Sequence, residues 1–211
     1  MYFAIEGVIG VGKTTLARML QSAFDAELVL EVFEENPFLS NFYSDRARYA
    51  FQTQIFFLLS RYHQQRRNIN DRLESGKTFI SDYTFEKDAL FAHINLKGAE
   101  LDMYYNVQEA LAEKITPPNL VVYLRANTST LMRRIAQRDR PYERTMESAY
   151  IEQLNRSYDD YYLGSARNSS VLVIQTDELD FVSRQMDFDI IKARIDEALL
   201  EAPFQPQLPI T

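Results

Sequence analysis

Short apolar runs separated by long amphipathic stretches set the rhythm of this chain. Five runs, at residues 2–6, 27–31, 78–82, 120–124 and 171–175, are brief and mostly apolar. Strands of a parallel sheet, covered on both faces, show that pattern rather than strict alternation. Between them, apolar positions recur at helical spacing and predict helices over 13–24, 46–70, 85–95, 100–115, 128–138, 147–163 and 188–200. Strand and helix thus alternate as βαβ units. The expected architecture is α/β, a five-stranded parallel sheet flanked by helices. Neither an internal repeat nor a low-complexity linker interrupts the pattern. Residues 1–201 are expected to form one domain, and 202–211, with three prolines, an irregular tail.

The first apolar run leads into Gly7-Val8-Ile9-Gly10-Val11-Gly12-Lys13-Thr14, a full G-x-x-x-x-G-K-T match between a strand and a helix. Glycines at 7, 10 and 12 let backbone N–H groups turn inward on phosphate oxygens, and the following helix adds the positive end of its dipole. Lys13 is expected to reach the outer phosphates and Thr14 to ligate Mg²⁺, with Thr15 in the same turn. A P-loop therefore predicts a bound nucleoside triphosphate, ATP or a relative, with Mg²⁺. It leaves the acceptor open: water, a hydroxyl or another phosphate.

Two acids close later strands. Glu31 ends the second run, where the ligand crevice of a parallel sheet lies, and a carboxylate there can take a proton from an attacking hydroxyl. A surface charge at a strand end is the plain alternative. Asp82 ends the third run, where P-loop enzymes hold Mg²⁺, and it is equally suited to cap a helix. Glu34 and Glu35 read as solvated turn residues. Arg134 and Arg138 stand four apart on one helix face, with Arg140 just beyond. Clustered guanidinium groups repel unless an anion compensates them, and phosphate is the natural one. In the helix at 46–70, Phe51, Ile55, Leu58 and Tyr62 read as a plain core stripe, with Gln54 and Arg61 together on a neighbouring face. His63 and His93 have no partner spacing and read as structural or exposed.

Charge and composition narrow the partners. Thirty acids against 23 Lys and Arg leave a net charge of −7, a poor balance for a nucleic-acid polymer. The chain has no cysteine, so disulfides and thiolate metal sites are excluded. No apolar run approaches the roughly 20 residues of a membrane span, and no secretory signal is visible. The cytoplasm and a small phosphorylated ligand are the expectation.

In this order, the P-loop, the glutamate followed by Asn36-Pro37, Phe51-Gln52-Thr53-Gln54 with Arg61, and the arginine lid resemble the deoxynucleoside kinase family over residues 2 to about 200. The resemblance implies a P-loop NTPase fold of the nucleoside- and nucleotide-kinase type with an arginine lid. It implies transfer from ATP or another nucleoside triphosphate, with Mg²⁺, to the 5′-hydroxyl of a deoxynucleoside, in a homodimer built by helix packing. Glu31 matches the family's catalytic glutamate, and Tyr43 and Glu143 the pair on the sugar 3′-hydroxyl. Gln54 matches the glutamine on the base edge, and Arg61 and Asp88 the charged pair beside it. Arg134, Arg138 and Arg140 match the lid. One departure stands out: many members carry an acid-Arg-Ser/Thr motif after the third strand, where this chain has Asp82-Tyr83-Thr84. The bacterial deoxyguanosine kinase branch is similar in having Asp-Tyr there, which favours a purine substrate. A nucleoside monophosphate kinase of the thymidylate type and a silent nucleotide-binding subunit are the rivals. Intact Lys13, Thr14, Glu31 and Asp82 speak against the second. The lack of a basic residue between Glu31 and Tyr43 speaks against the first.

Overall fold

A computed structural model describes residues 1–164 and 170–201; the tail expected from Ala202 lies outside the described residues. Five parallel strands, β1 (Tyr2–Glu6), β2 (Ala26–Val29), β3 (Thr78–Ser81), β4 (Leu120–Arg125) and β5 (Ser170–Gln175), stand in the order β2-β3-β1-β4-β5. The centre is β1, every residue of which is buried. It pairs Tyr2 with Phe79 on one side and Phe3 with Leu120 on the other. Successive side chains point to opposite faces. Phe3 and Ile5 accordingly join the large core, whereas Tyr2 and Ala4 join a smaller cluster with Val29, Phe79 and Tyr83.

The helices are α1 (Lys13–Ala23), α2 (Leu39–Ser44), α3 (Arg46–Asn68), α4 (Lys87–Asn95), α5 (Ala99–Ala112), α6 (Thr128–Arg138), α7 (Ser148–Leu163) and α8 (Gln185–Glu201). All seven expected helices are present, with ends shifted by up to three residues. Short α2 was missed, because six residues hold too few turns to show a period. It exists by packing Leu39 and Phe42 inward. Among the described residues no helix is long and apolar enough to cross a membrane. The chain fills the β2–β3 side of β1 first and the β4–β5 side afterwards. The strand order therefore reverses at β1, and the crevice at its C-terminal end is the switch point where α/β sheets bind ligands.

Two local corrections bear on that crevice. β2 stops at Val29, so Glu31 stands two residues beyond the strand, in the crevice-side loop. The other concerns α3. Phe51 and Ile55 of its expected core stripe are only half-buried, whereas Thr53, Gln54, Arg61 and Gln65 are buried. The helix turns a polar face inward because that face forms a wall of a cleft. His63 and His93 are exposed, as expected.

Candidate active site

The glycine loop is shaped by close approach. Gly7 has φ +147°, and a Cβ there would lie 2.3 Å from the Leu124 carbonyl oxygen. A Cβ on Gly10 would meet Ile135 Cγ1 at 2.7 Å. Both positions thus need glycine to hold the loop against β4 and α6. No side chain caps α1, so its first N–H groups face the loop's concavity. Lys13 folds back over the loop, its Nζ donating to the Gly7 carbonyl at 2.7 Å and the Val8 carbonyl at 3.3 Å. Burial pulls the Lys13 ammonium down to about 8, and the nearby positive charge of Lys87 adds to the effect. A half-buried cation held this way is poised for an anion.

Two clefts flank the loop. The first, with about 780 Å³ of open space, receives Lys13 and Thr14 from the loop side. Glu31 and Asp82 stand at its floor, and Gln54, Arg61 and Asp88 form one wall. Tyr43, Arg138, Arg140 and Glu143 close the other side. Residues scattered from 13 to 143 in sequence thus meet in one place.

Asp82 links the floor to the loop. One carboxylate oxygen accepts from the Thr14 hydroxyl, and the other accepts from the Glu31 backbone N–H at 2.7 Å. The capping alternative fails, since α4 begins only at Lys87 and no side chain caps it. Glu31 is ion-paired to Arg61 and accepts from Lys87 Nζ at 2.7 Å. Burial works against its charge, but Arg61 and Lys87 outweigh burial and hold the carboxyl well below the usual carboxylate range. Arg61 also pairs with Asp88, which leaves Gln54 Oε1, Arg61 Nε and Asp88 Oδ2 buried without hydrogen-bond partners.

The opposite wall is tied by Glu143, which takes a bidentate grip from Arg138 (Nη2 to Oε1 2.6 Å and to Oε2 2.7 Å). Arg140 lies 3.7 Å from the same carboxylate and 4.2 Å above the Phe33 ring. Tyr43 stacks on Tyr142 at 5.9 Å, and burial keeps its phenol neutral, far above the usual range.

Arg134 does not join this group. Its guanidinium donates to the Thr176 carbonyl at 2.7 Å and hydroxyl at 3.0 Å, and more weakly to the Val11 and Leu179 carbonyls. It lines a second cleft, of about 1570 Å³, with Gly12, Thr15 and the loop 177–184. Gly10 and Arg138 border both clefts; Gly7 borders neither. The loop 177–184 was not anticipated, although its place after the strand beside β4 is the sign that could have found it. Lys87 and Glu6 were missed too. Glu6, fully buried, accepts from the backbone N–H of Thr84 at 2.6 Å and of Gly7 at 3.0 Å. It sets the start of the glycine loop against the turn after β3.

A triphosphate cradled on the loop would reach from the second cleft to Lys13 and present its terminal phosphorus toward Glu31. That relation between a donor cleft and an acceptor cleft defines a P-loop phosphotransferase. The family model for deoxynucleoside kinases matches residues 3–200, and the chain belongs to the deoxynucleoside kinase family. It is 35% identical to deoxyguanosine kinase of Bacillus subtilis (strain 168) over 202 residues, 94% of this chain and 98% of that one. It is 28% identical to the deoxyadenosine/deoxycytidine kinase of the same organism over 199 residues, 90% and 89% of the two chains. The structure of deoxyadenosine kinase from M. mycoides with bound dATP superposes with a TM-score of 0.80 at 25% identity, covering 93% of this chain and 99% of that one.

Proposed function

We propose that this protein transfers the γ-phosphoryl group of ATP, or of another nucleoside triphosphate, to the 5′-hydroxyl of a purine deoxynucleoside. The observation that carries the reading is Glu31: a carboxylate on the acceptor-cleft floor whose own N–H is held by Asp82, which in turn accepts from Thr14 of the phosphate loop. Proton acceptor and phosphate cradle are thereby one rigid unit. The nucleoside 5′-oxygen attacks the γ-phosphorus as the bond to the β,γ-bridging oxygen breaks, and Glu31 accepts the hydroxyl proton. A carboxylate this acidic takes the proton late, which suits a loose phosphoryl transition state. Lys13 and the lid residues Arg138 and Arg140 stabilise the charge spread over the transferring group. Arg134 serves from the donor side. Thr14 and Asp82, two hard oxygen ligands already bonded to each other, fit Mg²⁺, which when bound neutralises phosphate charge; its remaining ligands would be phosphate and water.

Tyr43 and Glu143, on one wall, hold the sugar 3′-hydroxyl. At the base, the unpartnered Gln54 Oε1, Asp88 Oδ2 and Arg61 Nε await the polar edge of a purine, since buried polar groups rarely stay unpaired. Similarity to a deoxyguanosine kinase and Tyr83 after Asp82 support purine over pyrimidine. A monophosphate acceptor fits less well. Five cations line the cleft, Lys13 on the Gly7 carbonyl, Arg61 and Lys87 on Glu31, and Arg138 and Arg140 on Glu143, and none of the five is set apart for a second phosphate on the acceptor. We further propose one domain over 1–201, working as a homodimer in the cytoplasm, by family likeness and composition.

The test is a panel of deoxynucleosides, ribonucleosides and nucleoside monophosphates with Mg-ATP. Deoxyguanosine or deoxyadenosine should lead. A monophosphate in first place would overturn the acceptor assignment, and thymidine or deoxycytidine in first place would overturn the purine assignment alone.

A further inference from the structure

Lys87 is a lysine in the wrong place by local rules. It is the first residue of α4, where the helix dipole already presents positive charge and an acid is favoured. It is also only 5% exposed, although an ammonium is strongly hydrated and costly to bury. Violations of this kind cluster where a site requires them. Arg61 is shared between Glu31 and Asp88, so Lys87 balances the second carboxylate, yet a single ion pair does not use all that an ammonium offers. An ammonium carries three donors. One goes to Glu31 Oε2 at 2.7 Å, and the side chain borders the open cleft beside Lys13, Thr14 and Asp82.

We propose that Lys87 is a catalytic residue that meets the transferring phosphoryl group from the acceptor side, opposite Lys13. The inference rests on the phosphotransfer reading above. As the 5′-oxygen–phosphorus bond forms and the phosphorus–bridging-oxygen bond breaks, Glu31 takes the hydroxyl proton. Lys87 keeps its three protons and donates one hydrogen bond to a γ-phosphoryl oxygen. Lys13 and Lys87 line the same cleft, so their like charges oppose each other across it. An anion between them relieves that repulsion, and the γ-phosphoryl group is one.

The same geometry accounts for the sequence departure after β3. Tyr83 turns away from the cleft into the cluster of Tyr2, Val29 and Phe79, its hydroxyl donating to Gln64 Oε1 at 2.8 Å. No cation can enter from position 83. The charge enters instead from the first turn of α4, four residues on.

The test uses the full chain with Mg-ATP and deoxyguanosine, then deoxyadenosine. Wild type is measured first, and no transfer to either would refute the acceptor reading and this proposal with it. With wild-type activity present, Lys87→Met should lower kcat about 100-fold or more while KM for the nucleoside moves less than about threefold. Lys87→Arg should recover at least about a tenth of wild-type kcat. A kcat within about fivefold of wild type, or a loss confined to KM, overturns the proposal. So does equal damage by Arg and Met. Should Lys87→Met fail to fold, Lys87→Gln is judged by the same criteria. Failure of both to fold assigns Lys87 to the fold and also overturns it.

Discussion

The two clefts on either side of the phosphate loop are built from different materials. The acceptor cleft is walled by side chains in mutual ion pairs, Arg61, Lys87, Asp88 and Glu143 among them buried: Glu31 between Arg61 and Lys87, Asp88 on Arg61, Glu143 on Arg138. On the donor side, Arg134 is spent on backbone carbonyls of the loop after β5 and of the P-loop. That contrast indicates where selectivity resides. A site whose polar groups are buried rejects a ligand that leaves them unpaired, because each orphaned group costs its desolvation. A site held by main-chain carbonyls and an open loop places phosphates but discriminates less among the groups beyond them.

The largest effect should come from the acceptor floor. Glu31→Gln keeps the shape and removes the proton acceptor, so turnover should fall about 10²–10⁴-fold with nucleoside affinity little changed. Steady-state kinetics with direct binding measurements check this, and high residual activity would place the proton elsewhere. Next is Lys13, which folds over the phosphate loop and borders the acceptor cleft. Lys13→Ala should cost about 100-fold or more in turnover in a protein that still folds. Its basicity gives a second reading. In the free protein Lys13 loses its proton as pH rises through about 8, and phosphate charge would raise that value. Triphosphate binding between about pH 8 and 9 should then take up a proton, with little uptake near pH 6.5. Calorimetry in buffers of different ionisation enthalpy measures it, and the uptake should vanish in Lys13→Ala.

Moving one hydroxyl tests the two clefts against each other. A ribose 2′-hydroxyl on the acceptor should lower kcat/KM about tenfold or more, whereas ATP and dATP should serve as donors within about threefold of each other. Equal discrimination on both sides would place selectivity in both clefts alike. The smallest effect belongs to the base wall: Gln54→Ala should reduce efficiency on the best nucleoside about tenfold, and less on weaker ones.

Much of this was legible in sequence. All five strands, the phosphate loop and the convergence of Glu31, Asp82, Tyr43, Gln54, Arg61, Asp88 and Glu143 follow from periodicity, one motif and a family resemblance. The gaps have common causes. α3 was only half legible because hydrophobic pattern assumes an apolar buried face, and here Leu58 and Tyr62 share it with Thr53, Gln54, Arg61 and Gln65. Lys87 escaped because a single lysine beside Asp88 has no signature until the fold shows it inside the cleft. Arg134 shares a helix with Arg138, yet four residues of helix are enough to send its guanidinium to the other cleft. The loop 177–184 was invisible because its contribution to the cleft comes largely from where it lies, not from a pattern of residue types.

Tyr83 has a consequence on an evolutionary timescale. An arginine introduced at position 83 of this chain would have to bury its guanidinium among Tyr2, Val29 and Phe79, or turn toward a cleft that already contains Arg61 and Lys87. The first costs desolvation and the second adds repulsion. Arginine at 83 and lysine at 87 are therefore epistatic alternatives. A chain passing between them must lose or relocate one charge before gaining the other.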